Sequence, residues 1–125
     1  MRIIYSCIAL CLTAFNALAV TIESASGQLA SLISDKSITE LQVSGTINAV
    51  DFKFIADELT SLQSLDISNA TITAYSSSNT LFANARLFDD NTIPVGCFAS
   101  SALQSVTLPA SLSVIGEGAF LSCNN

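Results

Sequence analysis

Two stretches of this chain carry one residue pattern at a fixed distance. Ile93-Pro94-Val95-Gly96-Cys97-Phe98 is followed, 22 residues later, by Ile115-Gly116-Glu117-Gly118-Ala119-Phe120. A second pattern, apolar-x-x-apolar-x-apolar, recurs at Ile38/Leu41/Val43, Leu62/Leu65/Ile67 and Leu103/Val106/Leu108. Self-similarity at a period in the twenties constrains the fold more than local propensity does, because each unit can bury its apolar face only against a neighbouring unit. The pattern predicts an α/β solenoid, with short parallel strands stacked in a ladder and similar surfaces repeated along it.

The period and the leucine spacing together read as a leucine-rich repeat solenoid. Composition is consistent with a packed core. Half of the 125 residues are hydrophobic and 11% are charged, which excludes a chain kept unfolded by its own polarity. Ten acidic residues against four basic ones give a net charge of −6. The basic residues, Arg2, Lys36, Lys53 and Arg86, are scattered and form no stripe that could track phosphates, so the sequence points away from nucleic acid and from an anionic membrane surface.

The first 19 residues read as a secretory signal peptide. Arg2 supplies the positive start, Ile3 to Phe15 is apolar apart from Ser6 and Thr13, and Ala17-Leu18-Ala19 supplies small residues for cleavage. The apolar run is short for a membrane span, which needs about 20 residues. A lipid-modified Cys11 would want a small residue before it, where this chain has Leu10. The expected mature chain starts at Val20, inserts in no membrane, and is exported, either secreted, on the cell surface or in a periplasm.

Residues 20–125 are then one repeat domain, with a helical cap and first repeat over 24–61, an insertion over 73–91 and the final repeats over 93–125. Leu29, Leu32 and Ile33 predict a short helix with Ser26 as its N-cap, closing the N-terminal end of the ladder. Ile38 to Val43 is expected as the first ladder strand, with Glu40 and Gln42 outward, and Gly45 as a turn. Asn48 caps a second helix, with Asp51 in its first turn and Phe52, Ile55, Ala56 and Leu59 as its apolar stripe. Leu62 to Ile67 is the next strand, and Ser68-Asn69 is expected to turn. The following strand begins 41 residues after Leu62, at Leu103, one repeat plus an insertion of about 18 residues. Within the insertion Leu81, Phe82, Leu87 and Phe88 are expected to pack onto the solenoid. Pro109 ends the Leu103 to Leu108 strand by removing an amide donor. Val114-Ile115 starts another strand, and the pattern expects a further one beyond Cys123, as in a truncated array. Leu41, Val43, Leu65, Ile67, Val106, Leu108, Ile115, Ala119 and Phe120 are the expected core.

Cys7 and Cys11 belong to the leader. In repeat register Cys97 stacks on Ala119 and Cys123 matches Ser101, which argues against a Cys97–Cys123 disulfide, since a bridge requires Cα atoms within about 7 Å. Cys97 reads as a small buried residue.

The segment Leu103 to Cys123, L-x-x-V-x-L-P-x-S-L-x-x-I-G-x-G-A-F-x-x-C, resembles the BspA-type leucine-rich repeat, found in surface and secreted proteins of Bacteroidetes and of some mucosal protists. Ile93 to Phe98 resembles the end of a degenerate copy. Gly45 to Ile55 and Leu65-Asp66-Ile67-Ser68 resemble the N-terminal cap region of such proteins. The resemblance covers residues 24–125 and implies adhesion to a host or microbial surface protein or glycan.

The chain contains no histidine, so it has no Ser-His-Asp or Cys-His pair and no imidazole metal site. Its glycines form no phosphate loop. Asp57-Glu58 and Asp89-Asp90 read as solvated carboxylates, and Asp89 with Asn91 falls short of a calcium loop. The expectation is a non-enzyme with no cofactor and no metal. Gln42, Asp66 and Thr107 share one outward column in three strands and are the candidate ligand-binding residues. The plainer account of them is ordinary solvated strand positions. Three functions compete: a secreted or surface binding and adhesion module, a structural cap or spacer for a larger protein, and a non-catalytic module of an exported hydrolase.

Overall fold

The structure is a computed structural model that describes residues 3–9, 16–82 and 85–123, with side chains from residue 18 onward. Arg2 and the part of the expected leader from Leu10 to Phe15, Cys11 included, lie outside the described residues. In chain order the elements are β1 (Ile3–Ala9), β2 (Asn16–Ser24), α1 (Leu29–Leu32), β3 (Glu40–Ile47), α2 (Ala49–Glu58), β4 (Ser64–Ile72), β5 (Tyr75–Ser76), β6 (Leu87–Phe88), β7 (Thr92–Ile93), β8 (Ser105–Thr107) and β9 (Val114–Ile115).

The main sheet has the order β1-β2-β3-β4-β8. β1 is an antiparallel edge strand, and β2, β3, β4 and β8 run parallel. Parallel neighbours need long crossovers, and α1 and α2 lie within the first two. The register follows the apolar alternation. Val20 pairs with Leu41, Leu41 with Leu65 and Leu65 with Val106, so one apolar column crosses all four strands. Ile22 and Val43 form the next pair and are fully buried.

α2 covers this apolar side with Phe52, Ile55 and Leu59, all buried. Each such side chain contributes about 1.5–3 kcal/mol by leaving water. The helix starts where the sequence places it. Asn48 accepts a bond from Val50 N at 3.0 Å, and Asp51 accepts one from Asn48 N at 3.0 Å. The Asp51 carboxylate does more than close a capping box. It also accepts from Gly27 N at 2.7 Å and Leu29 N at 3.0 Å, which ties the turn after β2 to the start of α2. Phe52 meets Phe98 edge-on at 6.0 Å, and Phe98 stacks on Phe120 at 5.6 Å, so one aromatic line joins the helix to the last coils.

Those coils lie in the register that the 22-residue offset predicts. β7 and β9 pair in parallel, with Thr92 opposite Val114 and Ile93 opposite Ile115. Beyond the strands Gly116 N bonds Ile93 O at 2.8 Å, Gly96 N bonds Glu117 O at 2.9 Å, Phe98 N bonds Ala119 O at 2.7 Å and Ser100 N bonds Leu121 O at 2.7 Å. Two turns of chain are stacked backbone to backbone. Gly116 is required by this contact: a Cβ there would fall on Val95 N, with Val95 Cα at 2.6 Å and the Pro94 carbonyl carbon at 2.7 Å.

Several expectations are corrected. The ladder begins one strand earlier than Ile38 to Val43, at β2, and its N-terminal edge carries β1 rather than a helical cap. α1 is a single turn inside the β2–β3 crossover. Its N-cap is Gln28, without a side-chain bond, while the Ser26 hydroxyl lies 2.6 Å from that of Thr73. Gly45 does not turn the chain. It sits inside β3 at φ 90°, where a Cβ would strike the Ser24 carbonyl oxygen. Ser68-Asn69 lies inside β4. The extra residue is taken up as an irregularity in register, since Gln42 faces Asp66 but Ser44 faces Asn69. Of the expected core, Leu41, Val43, Leu65, Ile67 and Ala119 are buried, Val106, Leu108 and Phe120 are half-buried, and Ile115 is 50% exposed. Ile115 is on the outermost coil, where no described residue covers it. In the insertion, β5 and β6 pair antiparallel, and Phe82 and Phe88 are buried edge to face. Leu81 is half-buried and packs against the core, whereas Leu87 is 76% exposed because it alternates with Phe88 on a two-residue strand.

Candidate functional site

Parallel sheets are normally covered on both faces. This one is covered by helices on one face, and its other face carries alternating polar side chains. The Cα partners put Thr21, Gln42, Asp66 and Thr107 in one line across β2, β3, β4 and β8. The neighbouring line is Ala19, Glu40, Ser64 and Ser105. All three candidates from the sequence, Gln42, Asp66 and Thr107, are therefore brought together, on adjacent strands about 4.8 Å apart. A shallow groove of about 230 Å³ crosses this face and is lined by Thr21, Glu40, Gln42, Ser64 and Asp66.

The side chains differ in freedom. Glu40, Gln42 and Thr107 are exposed, and Asp66 is half-buried. The Asp66 Oδ1 accepts from both the Ser68 hydroxyl, at 2.6 Å, and Ser68 N, at 2.9 Å. The hydroxyl first, then the amide, holds this carboxyl below the ordinary carboxylate range. Asp66 thus pins the backbone where β4 slips register, a role that the column pattern alone does not show. Sequence reasoning missed Thr21 and Glu40 as members of the groove. Val20 and Ile22 alternate with Thr21 and Glu23, and that signal could have extended the ladder by one strand.

A second cavity, of about 330 Å³, lies between the end of α2 and the 97–103 turn, with Ile55, Leu59, Leu62, Phe98 and Leu103 among its lining residues. Cys97 also lines it. Burial pushes the Cys97 thiol far above its usual range, Lys53 opposes this and Asp57 adds to it, so the sulfur stays protonated and unreactive. Cys123 donates its thiol to Phe98 O at 3.1 Å and lies 3.5 Å from the Ser101 hydroxyl, the neighbour that repeat register gives it. Both thiols are free.

Ion pairs sit away from the ladder face. Lys36 pairs with Glu58 at 3.0 Å, and Lys53 pairs with Asp57 at 3.3 Å while lying 5.1 Å from the centre of the Phe82 ring. In the insertion, Asp90 accepts a bond from Ala74 N at 2.7 Å. Among the described residues no three acidic or cysteine side chains gather as metal ligands, and no helix is long and apolar enough to cross a membrane. The chain matches no protein-family model and no curated protein.

Proposed function

We propose that the chain is a leucine-rich repeat module of the BspA type that binds a surface protein or glycan through its ladder face. The observation that carries this reading is the line Thr21, Gln42, Asp66 and Thr107, in register on a parallel-sheet face that no described residue covers. The 22-residue stacking of Ile93 to Phe98 on Ile115 to Phe120 supports the repeat assignment. In this reading the protein is exported after cleavage behind Ala19, and it performs no catalysis. Cleavage would remove β1 and the start of β2, leaving Val20 to Ser24 paired with Leu41 to Gly45. N-terminal sequencing of exported protein tests this: Val20 first is the expected result, and a retained Met1 contradicts it.

A face of short polar side chains gives weak single contacts, so affinity should rise when several copies are displayed together. The test is a binding screen on matrix proteins and glycans with wild type and the Gln42→Ala/Asp66→Ala/Thr107→Ala triple variant. Loss of binding in the variant is expected. Binding that survives unchanged moves the site elsewhere, and turnover of any screened substrate refutes the non-enzyme reading. A spacer function is favoured by one observation: Val114, Ile115 and Leu121 leave apolar surface on the outer coil, at 51%, 50% and 67% exposure. Such surface suits packing against a further coil.

A further inference from the structure

We infer that the ladder face takes a lysine-bearing extended segment of a partner protein, a ligand class that rests on the ladder-face reading and narrows it. Glu23, Glu40 and Asp66 all point to the open side, because their strand neighbours Ile22, Leu41 and Leu65 point into the core. No lysine or arginine stands in these outward lines. The described cations lie elsewhere: Lys36 and Lys53 pair with the carboxylates of α2, and Arg86 is in the insertion. Among the described residues the face is therefore one-signed and unneutralised, and a partner of opposite sign complements it.

The hydrogen-bond capacity of the face specifies the cation further. Both Ser68 bonds fall on Asp66 Oδ1, so Oδ2 accepts from no described residue. Glu40 likewise accepts from none and is exposed. The single free oxygen of Asp66 suits the compact ammonium of lysine better than the two-pronged guanidinium of arginine, while Glu40, with both oxygens open, accepts either. Glu40 and Asp66 are diagonal neighbours on adjacent strands, roughly 8 Å apart from the strand spacing and rise. In an extended peptide, side chains at i and i+2 share a face at roughly 7 Å. A Lys-x-Lys segment thus reaches both carboxylates. A neutral glycan fits the face less well. It would leave these carboxylates without counter-charge, and the outward lines offer no aromatic ring for a sugar to stack on.

The test is fluorescence anisotropy on the chain beginning at Val20 with three labelled probes: a dodecapeptide alternating lysine and threonine, its glutamate–threonine counterpart, and a neutral oligosaccharide. Two variants neutralise the face. Glu40→Gln/Asp66→Asn keeps an acceptor for Ser68, and Glu23→Gln/Glu40→Gln changes only exposed groups and so guards against misfolding. Asp57→Asn/Glu58→Gln removes as many charges from α2. The expected result is binding of the lysine peptide alone, weakened about fivefold to tenfold by each face variant and less than twofold by the helix variant. Equal weakening by the helix variant would show attraction to net charge and overturn the proposal. If the oligosaccharide binds, Gln42→Ala abolishes that binding and the charge variants leave it intact, the ladder face stands and the lysine ligand falls. If neither ligand binds, the ladder-face reading fails with it.

Discussion

Between β2 and β4 each return of the chain to the sheet runs through a helix, whereas between β7 and β9 it runs through turns alone. The two halves bury their strands to different depths. Ile22, Val43 and Ile67 are fully enclosed; in the turn-built half Ile93 is enclosed too, but Val106 and Leu108 are half-buried and Ile115 is half-exposed. A helix brings its own apolar stripe, so one crossover can cover a strand from behind. A turn brings only Cys97, Phe98, Ala119 and Phe120, and such a coil needs another coil on each side. The ladder face is uniform across this boundary, since β8 continues the polar lines of β2, β3 and β4. The polar face and the core are thus built by different rules along the same strands.

The largest effect should come from the tie that fixes the helix-backed half. Asp51→Ala leaves the amides of Gly27, Leu29 and Asn48 without their acceptor. It should cost about 4 kcal/mol, read from urea unfolding. A cost near zero would mean that α2 and the β2 turn are not coupled as described. The turn-built half should break at Gly116. Gly116→Ala forces apart the backbones of the two stacked coils at Val95 and should cost about 2 kcal/mol. Selective loss of amide protection at Phe98 and Ser100 should accompany it, and unchanged protection would contradict the stacking. Phe120→Ala should cost about 2 kcal/mol by the same unfolding measurement, below the cost at a fully enclosed ring, because Phe120 is half-buried and stacks only on Phe98.

The smallest effect is a pH dependence on the ladder face. The Asp66 carboxyl is lowered by Ser68 in the folded protein, so its contribution is present above the unfolded value of about 3.9 and disappears as pH falls through the folded value. The stability difference between wild type and Asp66→Ala should therefore hold at neutral pH and shrink below about pH 4. A difference that grows on acidification would contradict the Ser68 bonds.

Much of this was legible in the residues. Asn48 and Asp51 marked the start of α2, and the offset between Ile93 and Ile115 gave the register of the last coils. The shared position of Gln42, Asp66 and Thr107 followed from the repeated leucine pattern, and their outward direction from alternation. β2 was only faintly legible as a ladder strand, because it overlaps the apolar leader pattern and its alternation beyond that pattern is limited to Val20 and Ile22 as inward residues. Ser68-Asn69 looked like a turn because both residues favour one. The Asp66 carboxylate instead holds Ser68 in place, and the strand runs on to Ile72. The outward position of Leu87 depends on a two-residue pairing with Tyr75 and Ser76, too short to leave a period in sequence.

Openness of the ladder face is read most directly by carbodiimide labelling of carboxyl groups in the folded chain, followed by peptide mass spectrometry. Glu23 and Glu40 should be modified as fast as Asp57 and Glu58 on α2, while buried Asp51 stays unmodified. Protection of Glu23 and Glu40 to the level of Asp51 would mean that this face is covered, and would contradict a binding surface there.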